Sequence, residues 1–391
     1  MSYEAVTQRI YCGRLLTPEE ELENVLLEIE LGRIKRIEYH AAKPTDPDCL
    51  DASDCLVVPG FIDVHIHGGM GHDVTDATYD ALCSIAVHLA RHGVTSFLPT
   101  IVTSPWPRIV KAIHAIKEAV DRGTPGAQVL GAHIEGPYLS EQFKGAQPVD
   151  FIRQPSAKEF DDYLHDYLAY IKMVTLAPEQ PGAEELIEYL ISKGITVSAG
   201  HSAATHQQML IAINIGVTSA THTYNGMGAF HHREPGLIGA VLSDDRIFAE
   251  VIWDNRHVHP AAAKILVKAK GPSHVMLVSD AIRAAGLPDG EYELGGQKVY
   301  VRDGMARLEN NVIAGSTITL DQAIRNASEY AGLRAAITMA THTPARCIGL
   351  SNRIGAIRPG LLADLAVLDQ NLNIVHTVIA GQKFAPFENA G

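Results

Sequence analysis

The sequence predicts an α/β fold: a (β/α)8 TIM-type barrel with a small β-sandwich domain built from both chain termini. Three observations predict it. Eight β-type runs alternate with amphipathic helical stretches from about residue 75 onward, counting the run that leads into that region. Strand–helix alternation means parallel pairing through right-handed crossovers, and eight units suit a closed barrel better than an open sheet of arbitrary width. The two ends of the chain, by contrast, read as strands without intervening helices.

The elements follow in order. Residues 1–58 contain IYCGRLL and ENVLLEIELGRIKRIEYH, a strand–turn–strand pattern with LGRI as the turn. The eight β-type runs are VVPGFIDVHIHG, GVTSFLPTIV, VLGAHIEGPYL, IKMVTLAPE, ITVSAGHSA, GVTSATHTYNGM, IFAEVIWDNRHV and HVMLVSDAI. Between them, ATYDALCSIAVHLARHG, PRIVKAIHAIKEAVDRG and GAEELIEYLISKG space their apolar residues at helical intervals and end on a glycine where a C-cap belongs. Beyond about residue 353, GLLADLAVLD and NIVHTVIAGQKF return to β-type. Residues 1–58 and 355–391 are therefore expected to form the small β domain, and residues 59–354 the barrel.

Composition narrows the function classes. With 391 residues and 46% hydrophobic content, the chain can fill a large barrel and a second core. Lys+Arg of 32 against Asp+Glu of 45 gives a net charge of −13, which argues against nucleic acid or an anionic membrane as the main partner. No stretch approaches the ~18 uninterrupted apolar residues of a membrane span. Cys12, Cys49, Cys55, Cys83 and Cys347 form no CxxC pair and are odd in number, so no disulfide framework is expected. The opening MSYEAVTQRI lacks the pattern of a signal peptide. A cytoplasmic setting is expected.

Polar groups cluster at the C-terminal ends of the barrel strands, where barrel active sites form. In GFIDVHIHG, His65 and His67 stand two residues apart, so on a strand both imidazoles face one side. The third run ends in His133 and Glu135, the fifth in His201, the sixth in His222 and Asn225, the seventh in His257 and His259, and the eighth in Asp280. Successive intervals from His67 through Glu135, His201 and His222 to Asp280 are 68, 66, 21 and 58 residues, spacings of one or more βα units. Imidazoles with carboxylates suit Zn²⁺ or Fe²⁺ rather than Mg²⁺ or Ca²⁺. Such a site implies hydrolysis, with a carboxylate to shuttle the proton, and Asp280 is the candidate.

These motifs together resemble the amidohydrolase superfamily. More narrowly, HIEGPYL, AGHSAA, THTYNGM, HHREPGLIGA, SDAIRAAGLPDGEYELGGQ and AGSTITLDQAIRN resemble the N-acetylglucosamine-6-phosphate deacetylases, over about residues 56–365. The resemblance implies that Glu135, His201 and His222 bind metal and that Asp280 is the catalytic acid/base. It implies that Arg233 reaches the substrate phosphate from a neighbouring subunit of a homodimer, with His257, Asn225 and Gly226 as further substrate contacts. His65 and His67 stand where some members carry amides and hold one metal, so one or two ions per chain are expected. Gln147 stands where other members place a histidine against the substrate carbonyl. The implied reaction is hydrolysis of the acetamide of N-acetylglucosamine 6-phosphate to glucosamine 6-phosphate and acetate. The alternatives are another N-acyl amino sugar or a cyclic amide as substrate, and a scaffold without activity.

Overall fold

The computed structural model describes residues 8–385; the outermost residues of the expected terminal β domain, and most of MSYEAVTQRI, lie outside them. The eight runs become eight parallel strands in sequential order: Phe61–Ile66, Val94–Ile101, Ala132–Glu135, Ile171–Leu176, Thr196–Ala199, Ser219–Ala220, Phe248–Ile252 and Val275–Val278. The last meets the first where the Asp280 N–H donates to the His65 carbonyl at 2.8 Å, and the His67 N–H to that of Ala281 at 2.8 Å. The barrel is thus drawn together at the end where the polar groups stand.

The anticipated helices form over Tyr79–Arg91, Trp106–Arg122 and Ala183–Ser192. Their apolar stripes bury Leu82, Ile85 and Leu89, then Ile109, Ile113 and Ile116, then Leu186 and Leu190 against the outside of the barrel. Inside, Ile62, Val64, Leu98, Met173, Ile252 and Met276 fill the barrel below the polar end. Ala345 and Cys347 of the last helix, His342–Cys347, join this cluster with Ile348 and Ile354 from the chain after it. Hydrophobic burial therefore supports the polar end on a rigid floor.

The termini combine as expected. Strands Gln8–Leu16, Glu21–Glu30, Arg33–Glu38 and Cys49–Pro59 join Leu365–Leu368, Ile374–Ile379 and Gln382–Lys383 in one seven-stranded mixed sheet. LGRI is the turn, with Leu31 and Gly32 at φ +50° and +74°, the left-handed pair that a tight hairpin requires. The sheet rolls over on itself: the Ile34 N–H donates to the Leu361 carbonyl, and Gly360 returns a bond to Ile34. Rolling encloses Val25, Leu27, Ile29, Val57, Leu365 and Val367 between its two ends.

A sheet at the rim was not anticipated. After the eighth strand the chain inserts a three-stranded antiparallel sheet over Gly290–Leu294, Gln297–Arg302 and Met305–Leu308. Its inner face buries Val299, Val301 and Ala306 against Ile282 and Val102, at the rim of the barrel mouth.

Candidate active site

At the barrel mouth a cavity of about 250 Å³ is bordered by His67, Glu135, His201, His222 and Asp280. Gln147, Asn225, Gly226 and His257 also line it. His65 lies just below, fully buried, its ring centroid 5.2 Å from that of His67. The period of two in VHIH does turn both imidazoles to one side. Arg233, expected at the substrate phosphate, lies away from the cavity of its own chain; it is exposed and donates to His232 Nε2 at 2.8 Å.

Three of these residues sit where the chain turns out of its strand with left-handed backbone: His201 at φ +47°, His222 at φ +31° and Asp280 at φ +47°. Such conformations cost of order 1–3 kcal/mol each in L-residues, a strain that surrounding structure must hold. Gly226, at φ +62°, allows the loop to close in, because a Cβ there would lie 2.9 Å from His201 Nδ1.

Every cluster imidazole turns its Nδ1 outward to an acceptor. His65 bonds Glu250 Oε2 at 2.9 Å, His67 the Thr100 carbonyl at 3.1 Å, His201 the Phe143 carbonyl at 2.9 Å and His222 the Asn225 carbonyl at 3.1 Å. These bonds place the proton on Nδ1 and aim each Nε2 lone pair inward, the arrangement of metal-binding histidines. Glu135 lies between the two pairs. Its Oε1 is 3.1 Å from both His201 Nε2 and His222 Nε2, and its Oε2 is 3.3 Å from His67 Nε2. Asp280 Oδ1 is 3.1 Å from His67 Nε2 and 3.5 Å from His65 Nε2.

The electrostatics are those of a cation site. Burial disfavours charge on His65 and His67, but Asp280 and Glu135, joined by Glu250 at His65, outweigh it and raise both, His67 to about 10. Burial equally opposes ionisation of Asp280, yet His65 and His67 hold its carboxyl down at about 2. Glu135 is held well below the usual carboxylate range against its own burial, by His65, His201 and His222. A field that draws protons onto buried imidazoles also draws a divalent cation. The fit is sharpest at His65 Nε2, a buried nitrogen with no hydrogen-bond partner. An imidazole and carboxylate set with inward lone pairs and an orphaned nitrogen suits a divalent metal.

Sequence reasoning missed the supports. Glu250, fully buried, accepts from His65 and from the His222 backbone N–H at 3.1 Å. Its signal was an acid inside the otherwise apolar IFAEVIW. Asp254 binds His257 Nδ1 at 2.7 Å and leaves the other ring nitrogen unpartnered at the cavity. His133 and His259 do not line the cavity: His133 bonds Thr175 Oγ1 at 2.7 Å in the barrel core, and His259 caps the helix Pro260–Lys270.

The chain is similar to known proteins over nearly its whole length. The model of the amidohydrolase family matches residues 56–384. An N-acetylgalactosamine-6-phosphate deacetylase from Escherichia coli O157:H7 is 41% identical over 96% of this chain and 99% of its own. An N-acetylglucosamine-6-phosphate deacetylase from Bacillus subtilis is 36% identical, over 94% of each chain. Among solved structures, the N-acetylglucosamine-6-phosphate deacetylase of Pasteurella multocida superposes with a TM-score of 0.92 at 31% identity, over 97% of this chain and 99% of its own. An Asp-to-Ala variant of the Mycobacterium smegmatis deacetylase, solved with N-acetyl-D-glucosamine-6-phosphate, gives a TM-score of 0.91 at 33% identity, over 97% and 99%.

Proposed function

The chain belongs to the amidohydrolase family, and on that premise we propose that it hydrolyses the acetamide of N-acetyl-D-glucosamine 6-phosphate, giving D-glucosamine 6-phosphate and acetate. The observation that carries the reading is the Glu135 carboxylate set between two inward-facing imidazole pairs, with Asp280 beside it, at the floor of a cavity lined by His257, Asn225 and Gly226.

Glu135, His201 and His222 would hold one divalent ion, and His65 and His67, sharing Glu135, a second. The donor set favours Zn²⁺ or Fe²⁺. When bound, the metal supplies Lewis acidity toward the carbonyl and makes the attacking water more acidic. Asp280 acts on protons. Held ionised by its histidine neighbours, it accepts a proton from the water and gives it to the departing nitrogen. Water oxygen joins the acetyl carbon, the C–N bond breaks, and the proton that left the water ends on the amine. His257, fixed by Asp254, and the Asn225 side chain orient the phosphorylated sugar, so contacts remote from the reacting bond hold it in place. Gln147 borders the acetamide end of the same cavity.

Arg233 contacts the phosphate in the site of a second copy of the chain. Supporting this, it is exposed, does not line its own chain's cavity, and shares its loop with Phe230, an apolar side chain 55% exposed and able to anchor a partner. The guanidinium fork matches a phosphate's paired oxygens. No helix among the described residues is long and apolar enough to cross a membrane. The five free cysteines fit a reducing compartment, and we place the reaction in the cytoplasm.

The test is acetate release from N-acetylglucosamine 6-phosphate, its C4 epimer and unphosphorylated N-acetylglucosamine. Loss of the phosphate should lower kcat/KM at least tenfold, since one hydrogen bond to a charged group is worth about 1.5–3 kcal/mol. Equal turnover without phosphate would contradict the reading. A preference for the epimer would reassign the sugar and leave the chemistry standing.

A further inference from the structure

Gln147 makes hydrogen bonds that a substrate contact alone does not require. Its side chain is buried, with Oε1 accepting from the Thr103 backbone N–H at 2.9 Å and Nε2 donating to Glu135 Oε2 at 2.7 Å. The two partners fix the amide's orientation. The Thr103 N–H can only donate, and the ionised Glu135 can only accept. A flipped amide would set donor against donor and acceptor against acceptor.

The loop carrying Gln147 is itself pinned. Its backbone N–H bonds the Lys144 carbonyl at 2.9 Å, and the adjacent Ala146 carbonyl accepts from Gln297 Nε2 of the inserted sheet at 2.6 Å. The carboxylate oxygen that Gln147 holds is the one facing His67, at 3.3 Å; the other faces His201 and His222 at 3.1 Å, with His65 Nε2 farther off at 3.7 Å. Rotation of the Glu135 carboxylate would break the 2.7 Å bond and withdraw an oxygen from one histidine pair.

We propose that Gln147 is a positioning residue that divides the Glu135 carboxylate between the two histidine pairs, and so sets how tightly the ion beside His65 and His67 is held. The inference rests on the reading that the cluster binds two divalent ions. A neutral donor is what the position calls for. A cationic side chain would compete with the ion for the charge of Glu135, and a carboxylate would repel it. An imidazole could keep both bonds, one nitrogen accepting from Thr103 and the other donating to Glu135.

The experiment is Zn²⁺ titration of chelator-stripped full-length protein against a chromogenic competitor, for wild type, Gln147→Met, Gln147→Asn and Gln147→His, with thermal unfolding of each sample. Methionine removes both bonds at similar volume, and asparagine is one methylene too short to span Thr103 and Glu135. Both variants should take up the first ion like wild type and the second about ten- to hundredfold more weakly, the usual effect of removing a partner of a metal ligand. Gln147→His should recover most of that loss. Wild-type affinity for the second ion in both loss variants would overturn the proposal, as would a histidine variant no better than methionine. A raised KM with both ion affinities unchanged would also overturn it, leaving Gln147 a substrate contact alone. A wild type that takes up no second ion would instead overturn the two-ion reading beneath it.

Discussion

Glu250 is the strongest lever on the cluster that touches no substrate. Its Oε2 accepts from His65 Nδ1 at 2.9 Å and from the His222 backbone N–H at 3.1 Å, so one carboxylate orients a residue of each histidine pair. Glu250→Ala orphans both donors. Each buried donor left without a partner costs about 1–3 kcal/mol, so the variant should lose about 2–6 kcal/mol. That is a large part of the ~5–15 kcal/mol by which folded domains are stable. Glu250→Gln is the sharper probe, because it keeps the shape and one acceptor. Charge-assisted bonds of about 1.5–3 kcal/mol become neutral ones of about 0.5–1.5 kcal/mol, a loss of about 1 kcal/mol at each of the two. With the counter-charge of His65 gone, metal affinity should fall about ten- to hundredfold while the fold survives. Chelator-competition titration with Zn²⁺ reads the affinity, and urea unfolding of the same samples reads the stability. A glutamine variant that binds Zn²⁺ like wild type, or an alanine variant as stable as wild type, would refute the reasoning.

Further outcomes follow from the same geometry. The double variant His65→Gln/His67→Asn should fall from two ions per chain to one by elemental analysis, with altered acetate release; one ion in both proteins would remove the pair from the metal site. Arg233→Ala should raise KM for the phosphorylated sugar. Refolding it together with Asp280→Asn chains should restore activity in mixed dimers, since each intact Asp280 then meets an intact Arg233; no recovery would contradict contact across the dimer. Away from the site, burial raises the Asp364 carboxyl from the ordinary 3.8 to about 6, only partly offset by its bond from the Ala380 N–H at 2.7 Å. The folded chain then binds this proton more tightly than the unfolded chain. The contribution is therefore fully present below about pH 4 and is lost as pH rises through about 6, amounting to about 3 kcal/mol by neutral pH. Asp364→Asn should flatten the pH dependence of the urea midpoint across that interval, and an unchanged slope would contradict the assignment.

Local periodicity carried most of the fold and the inner histidines. His65 and His67 could be placed together because strand geometry alone turns alternate residues to one face. The helices were legible from apolar spacing and their terminal glycines; Gly93, Gly123 and Gly194 follow those helices at φ between +73° and +77°. Contacts far apart in sequence were not legible. Nothing local in Ile34 announces its pairing with Leu361, which rolls the terminal sheet closed. The insertion over residues 290–308 alternates as strands do but carries many polar residues, so it does not stand out from a rim loop. The supports of the site were hidden for a similar reason. Glu250 and Asp254 matter through partners in the barrel mouth, and the role of Gln147 depends on a backbone N–H 44 residues away.

The central claim is that a metal-loaded cluster with Asp280 as proton carrier cleaves the acetamide. Its most direct test is acetate release from N-acetylglucosamine 6-phosphate by chelator-stripped and Zn²⁺-reloaded protein, wild type beside Asp280→Asn, with bound metal measured in every sample. Stripped wild type should be inactive and recover on reloading, whereas reloaded Asp280→Asn should retain metal yet turn over about 10²–10⁴-fold more slowly. Acetate release by stripped protein, or by metal-loaded Asp280→Asn at the wild-type rate, would contradict it.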